Sequence, residues 1–290
     1  MGLYIQKFGG TSVGSIERLQ SVAKIVAGVR ELGHDVVVVV SAMHGETDRL
    51  IDLANATSTQ PNPREFDALI ATGEQVSAAL LSMCLIGLSC PARSYTASQI
   101  QIRTDSQHRK ATIMDVNTNL LKAELDAGRV PVITGFQGVD SEGHITTIGR
   151  GGSDITAVAL AAQLKADECQ IYTDVGGVYT TDPHVVHDAR RLNEITFEEM
   201  MEFSNLGAKV LQIRAVEFAH KCQVPLRVLS SLEEGPGTLI SPGRKATDAP
   251  IVSGIAFDRN QGKLTVMGIP KASDFTGNLL ASLSDASIEI

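Results

Sequence analysis

The chain opens with a strand-like Leu3-Tyr4-Ile5 that leads into a lysine and two adjacent glycines, Lys7-Phe8-Gly9-Gly10. Glycines allow backbone N–H groups to approach phosphate oxygens closely, and a lysine neutralises phosphate charge. The helix expected after this segment would direct its positive dipole end to the same place. The segment therefore predicts a polyphosphate site, and the alternative is a solvated lysine beside an ordinary glycine turn.

A second cluster places an arginine, glycines, a hydroxyl and a carboxylate at one turn, Gly149-Arg150-Gly151-Gly152-Ser153-Asp154. Apolar residues at 157–164 predict a helix that starts here, and helix N-termini favour anions. The turn is not the dinucleotide-binding fingerprint, because Asp154 stands where a third glycine is expected. Ser153 or Asp154 alone would be an ordinary N-cap, but a cap needs no arginine. The cluster therefore predicts an anion site.

Other polar segments come directly after predicted strands. Thr173-Asp174 and a segment from Tyr179 to Asp182-Pro183 follow a buried strand, and open α/β sheets bind ligands at the carboxyl ends of their strands. The alternative is a connection rich in Asp, Gly and Pro that carries one aromatic plug. Three shorter segments are weak signals individually: Ser41-Ala42-Met43 followed by Thr47, Thr72-Gly73-Glu74, and Gly207-Ala208-Lys209.

The elements that must position these residues alternate along the chain. This alternation predicts an α/β fold whose mainly parallel sheet is covered by helices. Residues 135–148 predict an inserted β-hairpin. The predicted strands are 3–5, 36–40, 92–95, 130–134, 170–173 and 226–229; the predicted helices are 16–29, a broken helical region through the fifties to eighties, 115–127, 154–164 and two short helices around Phe197 and Val210.

The last fifty residues differ in character from the rest. Residues 241–250 are polar with proline near both ends, which predicts a linker after a large domain of residues 1–240. Beyond it, 251–257 and 263–269 are strand-like, 275–283 are helical and 287–290 begin another strand. A β-β-α piece of this size is too small for a core of its own, so we expect it to pair with another chain or to open a further domain.

Composition restricts the classes of function. The chain has 290 residues, a net charge of −8 and no clustered Lys and Arg, which argues against nucleic acid as a partner. The four cysteines have no paired spacing, and reduced thiols fit this better than disulfides or zinc. No signal pattern precedes the first strand, and the longest apolar runs are too short to span a bilayer. We therefore expect a cytoplasmic protein without a membrane partner.

Taken together and in order, KFGGTS, SAM, TGE, GRGGSD, TDV with GVYTTDP, and GAKVL resemble the aspartate kinases of the amino acid kinase family over about residues 1–240. The resemblance implies a three-layer αβα sandwich. It also implies transfer of the ATP γ-phosphoryl group to the side chain of L-aspartate, the entry to lysine, threonine and methionine synthesis. ATP and Mg²⁺ are the implied cofactors, with the metal held largely by phosphate oxygens and water.

The same resemblance implies roles for individual residues. Lys7 contacts the transferring phosphates, and Asp154 organises the catalytic groups. The remaining residues divide between the two substrates. The amino acid is assigned to Ser41, Thr47, Glu74, Arg150, Gly151, Gly152 and Ser153; the nucleotide is assigned to Lys7, Phe8, Gly9, Gly10, Thr173, Asp174, Tyr179, Asp182, Pro183, His184 and Lys209.

The chain departs from the family pattern at a few positions. His184 stands where an arginine is usual, Asp48 where asparagine is usual, and Gly176 where aspartate is frequent. Residues 251–290 resemble only part of one ACT regulatory module and lack its Pro-Gly turn. Two alternatives therefore stay open: a related kinase acting on another carboxylate, and a non-catalytic subunit that binds amino acid or nucleotide. We expect a homo-oligomer or pairing with a regulatory subunit through the C-terminal segment.

Overall fold

The computed structural model describes residues 2–208, 210–243, 252–257, 265–269 and 274–285. The chain divides into two compact units, residues 1–257 and residues 258–290. The described part of the first unit contains two β-sheets, with the strands β1 (Leu3–Phe8), β2 (Asp35–Val40), β3 (Ala92–Tyr95), β4 (Ile102–Thr104), β5 (Ile113–Val116), β6 (Val130–Thr134), β7 (Gln137–Val139), β8 (Ile145–Thr147), β9 (Glu168–Thr173), β10 (Glu194–Thr196), β11 (Leu226–Ser230) and β12 (Thr238–Ser241).

Helices connect these strands and cover the large sheet. They are α1 (Ile16–Glu31), α2 (Glu46–Thr57), α3 (Pro63–Ile70), α4 (Thr72–Gly87), α5 (Asn119–Asp126), α6 (Gly152–Leu164), α7 (Phe197–Asn205) and α8 (Ile213–Cys222) in the first unit, and α9 (Phe275–Asp285) in the second. Two sequence signals define α3 clearly: Pro63 is its first residue, and the side chain of Asn62 caps its N-terminus.

The large sheet has the strand order β10-β12-β11-β9-β1-β2-β6-β3. Every pairing in it is parallel except the one between β11 and β12. The predicted mainly parallel sheet is therefore confirmed. Since β9, β1 and β2 are adjacent and parallel, the segments that follow them emerge side by side at one edge of the sheet.

The valine run in β2 explains the three layers. Val36, Val38 and Val40 pack with side chains of α1 and α4 in one hydrophobic cluster, whereas Val37 and Val39 belong to a second cluster that includes α6. Successive strand residues point to opposite faces, so an uninterrupted apolar strand needs cover on both sides. The sandwich of helices, sheet and helices provides that cover.

A smaller sheet has the order β5-β4-β7-β8. Its antiparallel pair β7–β8 is the hairpin predicted at 135–148. The helix predicted at 115–127 was wrong at its start, because Val116 pairs with Ile102 in β5–β4 and α5 begins only at Asn119. The second short helix begins at Ile213, after Val210. Strands β4, β10 and β12 were not predicted, since three or four residues are too few to show an alternating pattern.

The C-terminal predictions fall largely outside the described residues. Residues 244–250 of the predicted linker and 287–290 lie there, and no strand is assigned in the described parts 252–257 and 265–269. Helix α9 agrees with the helix predicted at 275–283. The division into residues 1–240, 241–250 and 251–290, and the ACT-like character of the last part, stay predictions.

One stretch, Pro63–Gly87, is by length and composition apolar enough to cross a membrane. The expectation that every apolar run is too short was therefore too strong. This stretch consists of α3 and α4, which are joined through Ala71. Half of its most apolar 18 residues are buried inside the molecule, as in a core helix of a globular protein. It is weak evidence for membrane insertion.

Candidate active site

The side chains of Lys7 and Asp154 form an ion pair where β1 approaches α6. Lys7 Nζ lies 2.6 Å from Asp154 Oδ1, and the two side chains are only 11% and 10% exposed. Lys7 is the penultimate residue of β1, and Asp154 is in the first turn of α6. The fold thus brings together the two residues predicted to be catalytic, which lie 147 positions apart (154 − 7) in the chain.

Free backbone donors follow Lys7. The N–H groups of Gly10 and Thr11 have no hydrogen-bond partner in the part of the chain that the structure describes. Gly9 differs, because its N–H donates to Tyr172 O at 3.3 Å. A Cβ on Gly10 would lie 3.1 Å from Ala42 O, so a larger residue would disturb the neighbouring loop. Two adjacent unpaired N–H groups beside a lysine suit an anionic ligand.

Phe8 contributes to this site only through its backbone. Its side chain is fully buried and stacks on Tyr172, with ring centroids 4.6 Å apart. Its carbonyl oxygen accepts a hydrogen bond from Ser41 N at 3.1 Å. The aromatic pair therefore fixes the ends of β1 and β9, while Ser41 ties the end of β2 to them.

The turn before α6 depends on glycines with left-handed backbone. Gly149 and Gly151 have φ of 85° and 69°, and the exposed Arg150 lies between them. A Cβ on Gly151 would lie 2.6 Å from Gln212 Cβ. The N-cap of α6 is Gly151 itself, and no side chain makes a cap hydrogen bond. Ser153 and Asp154 are therefore not N-caps, which removes the ordinary explanation for them.

Ser153 lies against Gly135, the glycine that directly follows β6. A Cβ on Gly135 would lie 2.6 Å from Ser153 Oγ and 3.0 Å from Ser153 Cα. Gly135 N also donates to Val40 O at 2.9 Å, so this residue joins the end of β2 to the start of α6. Only a residue without a side chain fits between them.

We expect Gly135→Ala to lower both thermal stability and activity, because the added methyl group collides with the backbone of α6. Overpacking of this kind costs about 1–3 kcal/mol. Gly28→Ala is the matched control: Gly28 is in α1 with no atom within 4 Å of its added Cβ, so this change should stabilise the protein by up to about 1 kcal/mol. Thermal unfolding and turnover of both variants check this, and equal stability of the two would contradict it.

Glu74 is a buried carboxylate with one oxygen available. It is 3% exposed, and its Oε1 accepts a hydrogen bond from Ala42 N at 3.1 Å. Its Oε2 has no hydrogen-bond partner among the described residues. Burial raises the pKa of Glu74 to about 7, and the hydrogen bond from Ala42 only partly offsets this. A carboxylate held in this way suits a cationic ligand group that supplies the missing partner.

Thr47 lies in the first turn of α2 and is half-buried. The helix starts after Gly45, whose φ of 77° allows the sharp turn out of β2. Asp48, the unusual residue beside Thr47, is exposed. The segment that follows β2 therefore positions both residues. Thr47 follows its turn at Gly45, and Glu74 accepts a hydrogen bond from Ala42 in the same segment.

The segment after β9 carries most of the residues assigned to the nucleotide. The Thr173 hydroxyl donates to Asp174 Oδ1 at 3.0 Å, and Asp182 Oδ1 accepts a hydrogen bond from His184 N at 2.9 Å. Tyr179 pairs with Arg191 in an isolated β-bridge. Pro183 is half-buried and His184 is exposed, while Lys209 lies outside the described residues. This segment leaves β9, the strand that pairs with β1.

Two groups of residues near the site were missed by the sequence analysis. Ser12 and Ser231 form a buried hydroxyl pair at 2.7 Å, and Arg18 Nη2 donates to Ser231 Oγ at 3.0 Å. Asp67 is fully buried in α3. Nothing in the local sequence distinguishes the two serines. Asp67 did have a signal, because an acid on the same helix face as Phe66 and Ile70 is unusual.

A family model described as the amino acid kinase family matches residues 2–230. The chain belongs to the amino acid kinase family. The match includes β1 and both loops of the Lys7–Asp154 pair, and it ends with β11. Membership in the amino acid kinase family agrees with the mainly parallel sheet covered by helices.

Relatives within the amino acid kinase family are similar over the whole chain. The aspartokinase of Pseudomonas aeruginosa is 60% identical over 292 aligned residues, which cover 100% of this chain and 71% of the relative. Aspartokinase 2 of Bacillus subtilis is 50% identical, with the same two coverages. The part that the chain shares with these relatives includes every motif of the candidate site.

Solved structures of amino acid kinases have the same fold. The aspartate kinase of Synechocystis superposes with a TM-score of 0.75 at 46% identity, over 86% of this chain and 41% of that one. Aspartokinase III of E. coli, solved in complex with aspartate and ADP, gives a TM-score of 0.77 at 29% identity, over 84% of this chain and 65% of that one. The chain therefore spans less than two thirds of either solved protein.

Proposed function

We propose that this chain is an aspartate kinase, which transfers the γ-phosphoryl group of ATP to the side-chain carboxylate of L-aspartate to give L-4-aspartyl phosphate and ADP. The similarity to an aspartokinase over 100% of this chain and 71% of that relative supports this, as does the aspartate and ADP complex of the E. coli protein. The observation that carries the proposal is the buried Glu74, whose Oε2 has no partner among the described residues and whose Oε1 is held by Ala42, the residue that Gly10 approaches.

The reaction brings two anions together, so the protein must neutralise charge and position the reactants. In the proposal, Lys7 binds the transferring phosphoryl group and Asp154 holds the lysine in place through their ion pair. Lys209 adds a further cation on the nucleotide side. The attacking carboxylate of aspartate is already ionised near pH 7, so no general base is required.

In this proposal, different residues hold the ammonium group and the α-carboxylate of the amino acid. Glu74 accepts the substrate ammonium group at its free Oε2, which distinguishes an amino acid from a simple diacid. Arg150 and Ser153 bind the α-carboxylate, on a turn whose glycine backbone allows close approach. The remaining contacts are proposed for Ser41, Thr47, Gly151 and Gly152.

The nucleotide is proposed to bind between the ends of β1 and β9. The N–H groups of Gly10 and Thr11 would donate to its phosphates. Side chains for the rest of the nucleotide come from Thr173, Asp174, Tyr179, Asp182, Pro183 and His184. Among the described residues there is no group of three or more His, Cys, Asp or Glu that could hold a metal. Mg²⁺, which neutralises phosphate charge when bound, is therefore proposed to be held mainly by phosphate oxygens and water.

A hydroxylamine-trapping assay tests the proposal. Purified protein and Mg-ATP are incubated with L-aspartate, L-glutamate, N-acetylglutamate or no acceptor, and the acyl phosphate is captured as a hydroxamate. Hydroxamate with L-aspartate alone is expected. Hydroxamate with another acceptor would instead indicate a related kinase, for which the exposed Asp48 beside Thr47 is the distinguishing residue. Nucleotide binding without any hydroxamate would indicate a non-catalytic subunit.

Arg150→Ala is expected to raise the aspartate KM about tenfold, because one charged contact to the α-carboxylate is lost. The ATP KM should stay unchanged. Arg64→Ala is the matched control, since Arg64 is half exposed in α3 and pairs only with its neighbour Glu65 in the described structure. An unchanged aspartate KM in Arg150→Ala would contradict the assigned role.

We propose a cytoplasmic location, which the four free cysteines support because a reducing compartment keeps thiols unpaired. We also propose that the protein acts as a homo-oligomer or pairs with a regulatory subunit through its C-terminal segment. The mass of the purified protein in solution tests the homo-oligomer. The mass measured after incubation with a cell extract tests pairing with a regulatory subunit.

A further inference from the structure

Asp67 is a buried carboxylate outside the residues assigned to either substrate. It lies in α3, is 0% exposed, and receives hydrogen bonds from two separate parts of the chain. Thr147 donates twice, from its hydroxyl to Oδ1 at 2.6 Å and from its N–H to Oδ2 at 3.0 Å. Arg109 N donates to both oxygens at 3.2 and 3.0 Å, and His108 Nδ1 lies 2.9 Å from Oδ2. Asp67 thus joins α3, β8 and the loop before β5.

This arrangement requires a carboxylate rather than an amide. Thr147 and Arg109 present only donors to Asp67, and both of its oxygens accept from them. A carboxylate only accepts, whereas an asparagine amide would direct its own N–H groups at one of these donors. Asp67→Asn therefore keeps the volume of the side chain and disrupts the hydrogen bonds.

The residue that Asp67 holds most firmly leads directly into the Arg150 turn. Thr147 is the last residue of β8, and Gly149 follows two positions later. Arg109, held by the same carboxylate, contacts that turn too, because its carbonyl oxygen lies 3.1 Å from where a Cβ of Gly149 would be. Arg214 Nη1 donates to Ile148 O at 3.2 Å from the other side.

We propose that Asp67 is a positioning residue for the amino acid site: it fixes the end of β8 so that the turn presents Arg150 to the substrate α-carboxylate. This inference rests on the proposed function. Asp67 acts only through the backbone that it anchors, so its loss changes where Arg150 lies and leaves Lys7 and the nucleotide loop in place.

Glu124 provides a matched control for a buried carboxylate. It is 3% exposed in α5, and it accepts hydrogen bonds from Arg129 Nη2 and Arg93 Nη1 at 3.1 and 3.2 Å. Arg93 and Arg129 lie near the starts of β3 and β6, which is the edge of the sheet opposite the candidate site. A purely structural effect of removing a buried charge should therefore be similar in Glu124→Gln and Asp67→Asn.

The experiment compares steady-state kinetics of the whole chain as wild type, Asp67→Asn and Glu124→Gln, with thermal unfolding of each. We expect Asp67→Asn to raise the aspartate KM about tenfold or more, with little change in the ATP KM. Glu124→Gln should lower the unfolding temperature without changing either KM. An unchanged aspartate KM in Asp67→Asn, or an equal rise in both variants, would overturn the inference. Absence of hydroxamate from the wild type would instead overturn the proposed function.

A second pair of variants covers the case in which Asp67→Asn does not fold. Thr147→Val removes the hydroxyl that donates to Asp67 but keeps the shape of the side chain, whereas Thr147→Ser keeps the hydroxyl. We expect Thr147→Val to raise the aspartate KM several-fold and Thr147→Ser to restore it toward the wild-type value. Equal aspartate KM values for Thr147→Val and wild type would contradict the role of Asp67.

Discussion

Lys7→Met is expected to reduce kcat by about a thousandfold, because preorganised charge at the reacting phosphoryl group is the main contribution that the protein makes to this reaction. The lysine is 11% exposed, so water cannot replace its charge efficiently. Initial rates of hydroxamate formation at saturating ATP and aspartate measure the effect.

The control must separate catalysis from stability, because Lys7→Met leaves Asp154 buried without its partner. The double variant Lys7→Met/Asp154→Asn removes both charges, so it should recover thermal stability without recovering activity. Lys24→Ala, an exposed lysine in α1, should behave as wild type. Activity in the double variant above a few per cent of wild type would contradict the catalytic role.

Glu74→Gln is expected to raise the aspartate KM about a hundredfold at pH 8, where Glu74 is ionised in the wild type. Glutamine keeps an oxygen for the hydrogen bond from Ala42 N but cannot supply the negative charge for the substrate ammonium group. Aspartate KM values at saturating ATP test this. An unchanged KM would mean that the free Oε2 serves another purpose.

The same residue predicts a pH dependence. Since burial raises the pKa of Glu74 to about 7, the free protein loses the carboxylate as the pH falls through 7. Aspartate binding should weaken progressively below pH 7 in the wild type and show no such dependence in Glu74→Gln. Neither the substrate carboxylates nor its ammonium group titrates in this range, so they do not confuse the measurement.

Stability should change in the opposite direction to binding. The pKa of Glu74 is raised in the folded protein, so the folded state binds this proton more tightly than the unfolded state does. The free energy of unfolding therefore falls as the pH rises from about 4.5 to about 7. Without aspartate, Glu74→Gln should therefore unfold at the same or a higher temperature than wild type at pH 8. Arg129 lowers the pKa of Glu124, so Glu124→Gln should instead unfold at a lower temperature. A functional residue that costs stability is expected at a binding site.

The long strands and helices could be predicted because their patterns are local. The valine run of β2 and the periodicity of α1 and α6 specify these elements directly. The short strands β4 and β5 could not be predicted, because Val116 joins a strand only by pairing with Ile102. Residues in the loops after β1, β2 and β9 were identified as site candidates since glycines and charged residues at strand ends have few structural uses.

The sequence by itself determined the α/β class, the positions of the glycine turns and the charged residues that these turns carry. Only the tertiary structure decided which of them meet: it joins Lys7 to Asp154, leaves Glu74 Oε2 without a partner among the described residues, and encloses Asp67 among donors. The physical reason is that residue type and backbone preference are local properties. Burial, pKa and hydrogen-bond satisfaction instead depend on neighbours that are distant in the chain.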